Sequence, residues 1–271
     1  QKMYEKFNEL LFGDLIKKID MSSIGPIREK ALKITDTKKR VDFLKEQCGQ
    51  LESQKEKLAL LKNLFEGEKC YVLSCGPTLL ENNQEKLKAQ LKNHPVLAIK
   101  QSADMYKNLV DFHVYNCGNY KNYEYGERKP IITEASTTPW KLGECDLKFF
   151  IKERDFSNSV SAKHNFSDWT LDKQHLLRPY GPGIMYEAVF YLVEHLGFSE
   201  IITVGWDNKL SGTDQSKQHF YDKDDSGFDK SEFIHYNEVA ENVEMSQLSH
   251  EEKITSDVIG HWYDWLKGLG C

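Results

Sequence analysis

The sequence predicts an α/β protein: a Rossmann-like, mostly parallel sheet with flanking helices, a polar lid and an N-terminal helical appendage. Three observations predict it. Short apolar runs recur from Glu68 onward: CYVL at 70–73, VLAI at 96–99, FHVY at 112–115, KFFI at 148–151 and IITV at 201–204. Helical patterns lie between several of these runs, and strand-helix alternation is the signature of a parallel sheet with crossover helices. The stretch from 207 to 249 is polar and turn-rich with few apolar anchors. A connection this long inside a compact domain reads as a lid, a binding loop or a disordered stretch, and residues 208–248 are taken as a lid.

Residues 1–66 form the expected appendage, and 67–271 the main domain. Within the appendage, Val41, Leu44, Leu51, Leu58, Leu61 and Leu64 fall at near-helical spacing, which predicts one or two amphipathic helices between Thr37 and Phe65. Gly25-Pro26 predicts a break before them. Residues 183–196, GIMYEAVFYLVEHL, predict a helix buried beside the sheet, with Gly197 as its stop. A last helix is expected from about Glu251 to Lys267, opened by a capping box in which Ser249 is the cap and Glu252 stands three residues on.

Composition narrows the function. A formal net charge of -6 argues against nucleic acid as the main partner. It leaves room for a small anion, because backbone amides bind one without net positive charge. No run of 18 apolar residues offers a membrane span, and peripheral membrane association is left open. No secretory signal pattern is read, and none of the six cysteines forms a Cys-x-x-Cys pair. Reduced thiols, no zinc site and a cytoplasmic location are therefore the expectation. The start at Gln1 rather than Met leaves room for other domains of a longer chain.

Open parallel sheets bind ligands beyond the carboxyl ends of their strands, so the residues after each run are the candidates. Ser74-Cys75-Gly76-Pro77-Thr78 follows the first run and precedes a helix, where backbone amides converge on a phosphate. The turn has neither the G-x-G-x-x-G fingerprint nor a Walker loop. Read without a ligand, it is a strand-to-helix turn. Arg178-Pro179-Tyr180-Gly181-Pro182-Gly183 leads into the buried helix, whose dipole favours a carboxylate or phosphate at Gly183. A rigid loop is the equal alternative. Gly205-Trp206-Asp207 ends the IITV run, and an Asp there binds a ribose, a metal or a substrate hydroxyl, or caps its own loop.

The order of these elements resembles the bacterial sialyltransferases of glycosyltransferase family 42 and the related motility accessory factor proteins, which transfer nonulosonic acids. The likeness runs over 68–271. It rests on the Gly-Pro-Thr turn, a strand ending in Lys100-Gln101, a strand ending in Tyr115-Asn116, the glycine-led helix, and the stretch HLGFSEIITVGWD followed by a polar lid that bears histidines. The resemblance implies a glycosyltransferase with a CMP-activated sugar acid as donor (sialic acid-like, another nonulosonic acid or Kdo), a cell-surface glycan as acceptor, and neither metal nor cofactor. By position, Ser74, Gly76, Pro77 and Thr78 would hold the donor's phosphate or sugar. Lys100 or Gln101, and Asn116, would contact nucleotide and sugar, and Arg178, Gly181 and Gly183 would line the cytidine and carboxylate pocket. The family places Asn where Cys75 stands, and a tyrosine just after Asp207, where this chain has Asn208 and Lys209. Tyr221 is then the nearby phenol to steady a leaving phosphate.

The base implied for an inverting transfer is His250, at the start of the last helix with Asp257 following; His219 and His235 are reserves. Histidine suits that role near neutral pH. Two other readings stand beside this one. Archaeal pterin pyrophosphokinases share a similar turn, and would need ATP, magnesium and clustered carboxylates, for which Asp104 and Asp207 are the available pair. A non-catalytic nucleotide-binding module is the other. Asp222-Lys223-Asp224-Asp225-Ser226-Gly227 imitates the start of a calcium loop, but Phe233 stands where its last glutamate belongs, so it reads as an acidic turn.

Overall fold

A computed structural model describes residues 21–116, 123, 125–136, 144–150, 170–171, 183–207 and 259–270. The helices α1 (Met21–Leu32), α2 (Thr37–Gln50) and α3 (Gln54–Leu61) precede β1 (Lys69–Leu73). Then follow α4 (Thr78–Glu81), α5 (Gln84–Asn93), β2 (Val96–Ile99), α6 (Ser102–Met105), β3 (Phe112–Asn116), β4 (Ile131–Ser136) and β5 (Leu147–Phe150). A helix, α7, starts as a π turn at Met185–Val189, continues as an α-helix over Phe190–Leu196, and leads to β6 (Glu200–Val204). Residues 259–268 are helical.

The α/β expectation holds. Six strands form one sheet in the order β5-β4-β3-β2-β1-β6, and every pairing is parallel. The chain steps outward from β1 to β5, then crosses to the far side of β1 for β6. The strand order therefore reverses between β1 and β6, and the crevice at their carboxyl ends is where such sheets take ligands.

Both sheet faces are buried, which is why the strands read as apolar runs rather than alternating ones. On one face Cys70, Val72, Leu97, Ile99, Phe112, Val114, Ile131 and Phe149 pack in one cluster with α7, Trp262 and the N-terminal helices. On the other, Tyr71, Leu73, Val96 and Ala98 pack with Leu79, Leu87, Leu91 and Ala103 from α4 to α6.

β4 is the strand that the apolar pattern does not announce. Its sequence, IITEAS, is broken by Thr133 and Glu134, both fully buried. Glu134 is tolerated there because Lys148 on β5 lies 2.7 Å from its carboxylate. Of the one or two helices predicted between Thr37 and Phe65 there are two, separated at Leu51–Ser53, where Ser53 and Glu56 form a reciprocal capping box. The break expected at Gly25-Pro26 is not there: both residues lie inside α1. Pro26 removes one helical hydrogen bond. Tertiary contacts offset the loss, with Ile24 and Ala31 fully buried and Arg28 Nη1 donating to Ala59 O and Leu60 O at 2.8 and 2.9 Å.

The N-terminal helices are tied to the sheet by polar bonds as well as by the core. Lys38 Nζ reaches His94 O, Leu109 O and, at 2.6 Å, Asp111 below the amino ends of β2 and β3. His195 Nε2 lies 2.8 Å from Leu58 O, and Asn63 N donates to His195 O at 2.8 Å. On the edge strand β5, Lys148 N donates to Gln54 Oε1 at 2.9 Å, and Gln54 Nε2 donates back to Lys148 O at 2.5 Å. No helix among the described residues is long and apolar enough to cross a membrane.

Candidate functional site

The turn after β1 is stitched to the end of β6. Ser74 N donates to Val204 O at 2.8 Å, and Gly76 N to Gly205 O at 2.7 Å. Thr78 N donates to Asp207 Oδ2 at 2.8 Å, while Thr78 Oγ1 donates to the other carboxylate oxygen. Gly-Pro stands at the mouth of the strand for a steric reason. A Cβ at Gly76 would lie 2.5 Å from Gly205 O and against the Asp207 carboxylate. Pro77 follows at φ -57, already set for the start of α4. Gly205 takes φ +71, and a Cβ there would lie 2.8 Å from Leu79 Cβ.

These bonds change what the turn can offer. Pro77 has no N–H, and the amides of Ser74, Gly76 and Thr78 are all engaged by β6 and the residues after it. With these three amides spent, the turn chiefly shapes the crevice. Both oxygens of Asp207 bond to Thr78, the loop-closing role that the sequence left open beside a ribose or metal contact.

The amides at the start of α7 are the better anion donors. The first turn of a helix leaves its N–H groups without helical acceptors, and the dipole adds positive potential there. Gly183 precedes this turn with φ +126, and a Cβ at Gly183 would meet nothing within 4 Å. The helix faces the turn, since Ser74 Oγ lies 3.8 Å from Met185 Sδ. Its first turns are π-wound, a local widening often found at functional sites. Tyr186, on that π turn, is 2% exposed and packs against Trp206 at 5.8 Å and Trp262 at 5.6 Å between ring centres. Its hydroxyl has no hydrogen-bond partner among the described residues, and burial pushes the phenol's pKa up.

The ends of β2 and β3 complete the edge. Lys100 follows Ile99 with φ +49, a left-handed backbone that costs a non-glycine residue about 1–3 kcal/mol. Lys100 N donates to Val114 O at 2.9 Å, and Lys100 O accepts from Ala103 N at 3.2 Å and from His113 Nε2 at 2.9 Å. Gln101 is buried, 3.9 Å from Cys75 Sγ, and the Cys75 thiol also donates to Ile99 O at 3.2 Å. Burial pushes the Cys75 thiol up to about 11, against the pull of the Lys100 charge and of two backbone N–H groups, at Ser102 and Gln101. Ser102 Oγ sits 2.7 Å from Leu73 O and accepts from Ile99 N at 2.9 Å, pinning α6 under β1 and β2. Asn116 ends β3, and its Oδ1 is buried with no hydrogen-bond partner among the described residues.

The structure therefore brings Ser74, Gly76, Pro77, Thr78, Lys100, Gln101, Asn116, Gly183 and Asp207 to one edge of the sheet. Arg178, Gly181, Tyr221 and His250 lie outside the described residues, as do His219, His235, Asp257, the acidic turn at 222–227 and the whole of 208–248. Sequence reading missed Ser102, His113, Met185 and Tyr186. His113 was hidden inside FHVY. A polar residue in a run buried on both faces was the available signal.

Comparison with protein-family models, with curated proteins and with solved structures returns no match for this chain.

Proposed function

We propose that the chain is a glycosyltransferase that moves a sugar acid from a CMP-activated donor to a glycan acceptor. The observation that carries this reading is the reversal of strand order between β1 and β6, with the start of α7 facing the same crevice at Ser74. The donor's phosphate or carboxylate would lie at the first turn of α7, beside Gly183, with the Lys100 ammonium adding positive charge. Asn116 offers an unsatisfied buried oxygen to a donor hydroxyl. The resemblance to the sialyltransferase-like enzymes supplies the roles beyond the described residues. The acceptor hydroxyl oxygen bonds to the anomeric carbon, and the bond from that carbon to the phosphate oxygen breaks. CMP departs with the electron pair, steadied by Tyr221, and His250 takes the hydroxyl proton.

One feature favours this reading over diphosphate transfer. A magnesium-assisted reaction would draw on Asp104 and Asp207, yet both oxygens of Asp207 are engaged by Thr78. Thermal-shift measurements with CMP, CDP, UDP, and ATP with magnesium test the proposal. Selective stabilisation by CMP, with donor turnover that survives EDTA, is the expected result. Stabilisation by ATP with magnesium alone would sink the proposal.

A further inference from the structure

We infer that His113 is a positioning residue of the crevice: its buried imidazole holds the backbone of Lys100 in the left-handed conformation that delivers the Lys100 side chain to a bound anion. The identity of that anion rests on the function proposed above; the link between His113 and Lys100 does not.

His113 is fully buried in the middle of β3, and both ring nitrogens are engaged. A carbonyl only accepts, so the proton is on Nε2, which donates to Lys100 O at 2.9 Å. Nδ1 then accepts from the Tyr125 hydroxyl at 2.7 Å, which fixes the tautomer. The ring cannot swing away. Tyr123 stands edge-on at 4.5 Å between centres and Tyr115 at 5.6 Å. Adjacent residues of β3 thus grip Lys100 at both ends: Val114 O takes its N–H, and His113 Nε2 holds its carbonyl.

The choice of residue gives the grip a purpose. A glycine would take φ +49 without strain, yet lysine occupies the position. Backbone strain that surrounding groups hold in place points to a side chain needed there. Lys100 is itself half-buried, and its charge opposes the upward push of burial on the Cys75 thiol in the turn after β1.

The test compares full-length variants, with CMP as the probe and calorimetry as the readout. Lys100→Met is expected to weaken CMP by about tenfold, the worth of one hydrogen bond to a charged group. His113→Asn, whose carboxamide replaces Nδ1 but does not reach Lys100, is expected to weaken CMP to the same extent. His113→Gln, whose nitrogen stands where Nε2 stands, is expected to keep most of the affinity. The double variant His113→Asn/Lys100→Met is expected to bind no worse than Lys100→Met alone. Additive losses, or full affinity in His113→Asn, overturn the inference. If the wild-type chain does not bind CMP, the donor reading fails, and thermal unfolding of the unliganded chain decides the His113 link instead. There Lys100→Gly is expected to recover much of the stability lost in His113→Asn, because glycine needs no latch; simple additivity overturns it. Imidazole ¹⁵N resonances should report the Nε2–H tautomer in the wild type, and the opposite tautomer also counts against the inference.

Discussion

Thr78 and Asp207, 129 residues apart, are joined twice: the amide and the hydroxyl of Thr78 donate to the two oxygens of one carboxylate. The pair closes β1 onto β6 at the point where strand order reverses. Asp207→Ala should cost about 1–3 kcal/mol in urea unfolding, since hydrogen bonds to a charged group are lost at a partly exposed site. Thr78→Val should cost less, because it leaves the amide bond in place. A double-mutant cycle should show coupling between the two positions, and strict additivity would mean that the pair is incidental.

Two glycines of the crevice should respond differently to the same substitution. Gly76→Ala drives a methyl into Gly205 O and the Asp207 carboxylate, and neither can withdraw without opening the sheet edge. The protein should be recovered in low yield or with a midpoint lowered by several degrees. Gly183→Ala meets open space but an unfavourable φ, so about 1–3 kcal/mol of strain is expected with the fold retained. Its sharper effect should be on CMP affinity, and unchanged affinity would move the anion site away from α7.

The buried pair Glu134–Lys148 should tolerate joint removal better than single removal. Glu134→Gln leaves an ammonium buried without its carboxylate, at a cost of about 3–5 kcal/mol. Glu134→Leu with Lys148→Met should be the less damaged protein by denaturant titration. If the double variant is the worse one, the pair contributes more than its desolvation costs.

The described cysteines, Cys48, Cys70, Cys75 and Cys145, are buried, and burial pushes Cys48 up to about 12 and Cys75 up to about 11. They should resist alkylation at pH 8 until the chain unfolds. The sign of the pH effect follows. Above about pH 9 the unfolded thiol ionises while the folded one does not, so the stability from a protonated Cys75 is complete below about pH 9 and lost as pH rises towards about 11. Urea midpoints at pH 8 and pH 10.5 should fall in that order, and Cys75→Ala should shrink the gap.

Much of the sheet could be read from the chain. β1, β2, β3 and β5 stand out as apolar runs because they are buried in the sheet, and β6 because Ile201 packs towards one cluster and Ile202 and Val204 towards the other, although the strand stays partly exposed. β4 did not, since its buried Glu134 balances a lysine on another strand, and no local pattern carries that pairing. The break expected at Gly25-Pro26 failed for a similar reason: local propensity was overridden by contacts from residues some thirty positions away. At the site, the Gly-Pro turn and Gly205-Trp206-Asp207 were each visible. That they satisfy one another depends on β6 lying beside β1, a fact of topology. His113 was harder to read: its polarity inside a hydrophobic run was a signal, but its contact with Lys100 O, at the end of the neighbouring strand, depends on topology.

The carboxamide of Gln54 acts as a peptide group borrowed from a side chain. Its oxygen and nitrogen meet Lys148 on the outer margin of β5 as another strand would, with one residue standing in for a row. An uncapped margin invites pairing with a second copy, the first step towards polymerisation. The N-terminal helices occupy that margin at Lys148, and a shortened chain beginning after residue 66 would lose this cover together with part of its core.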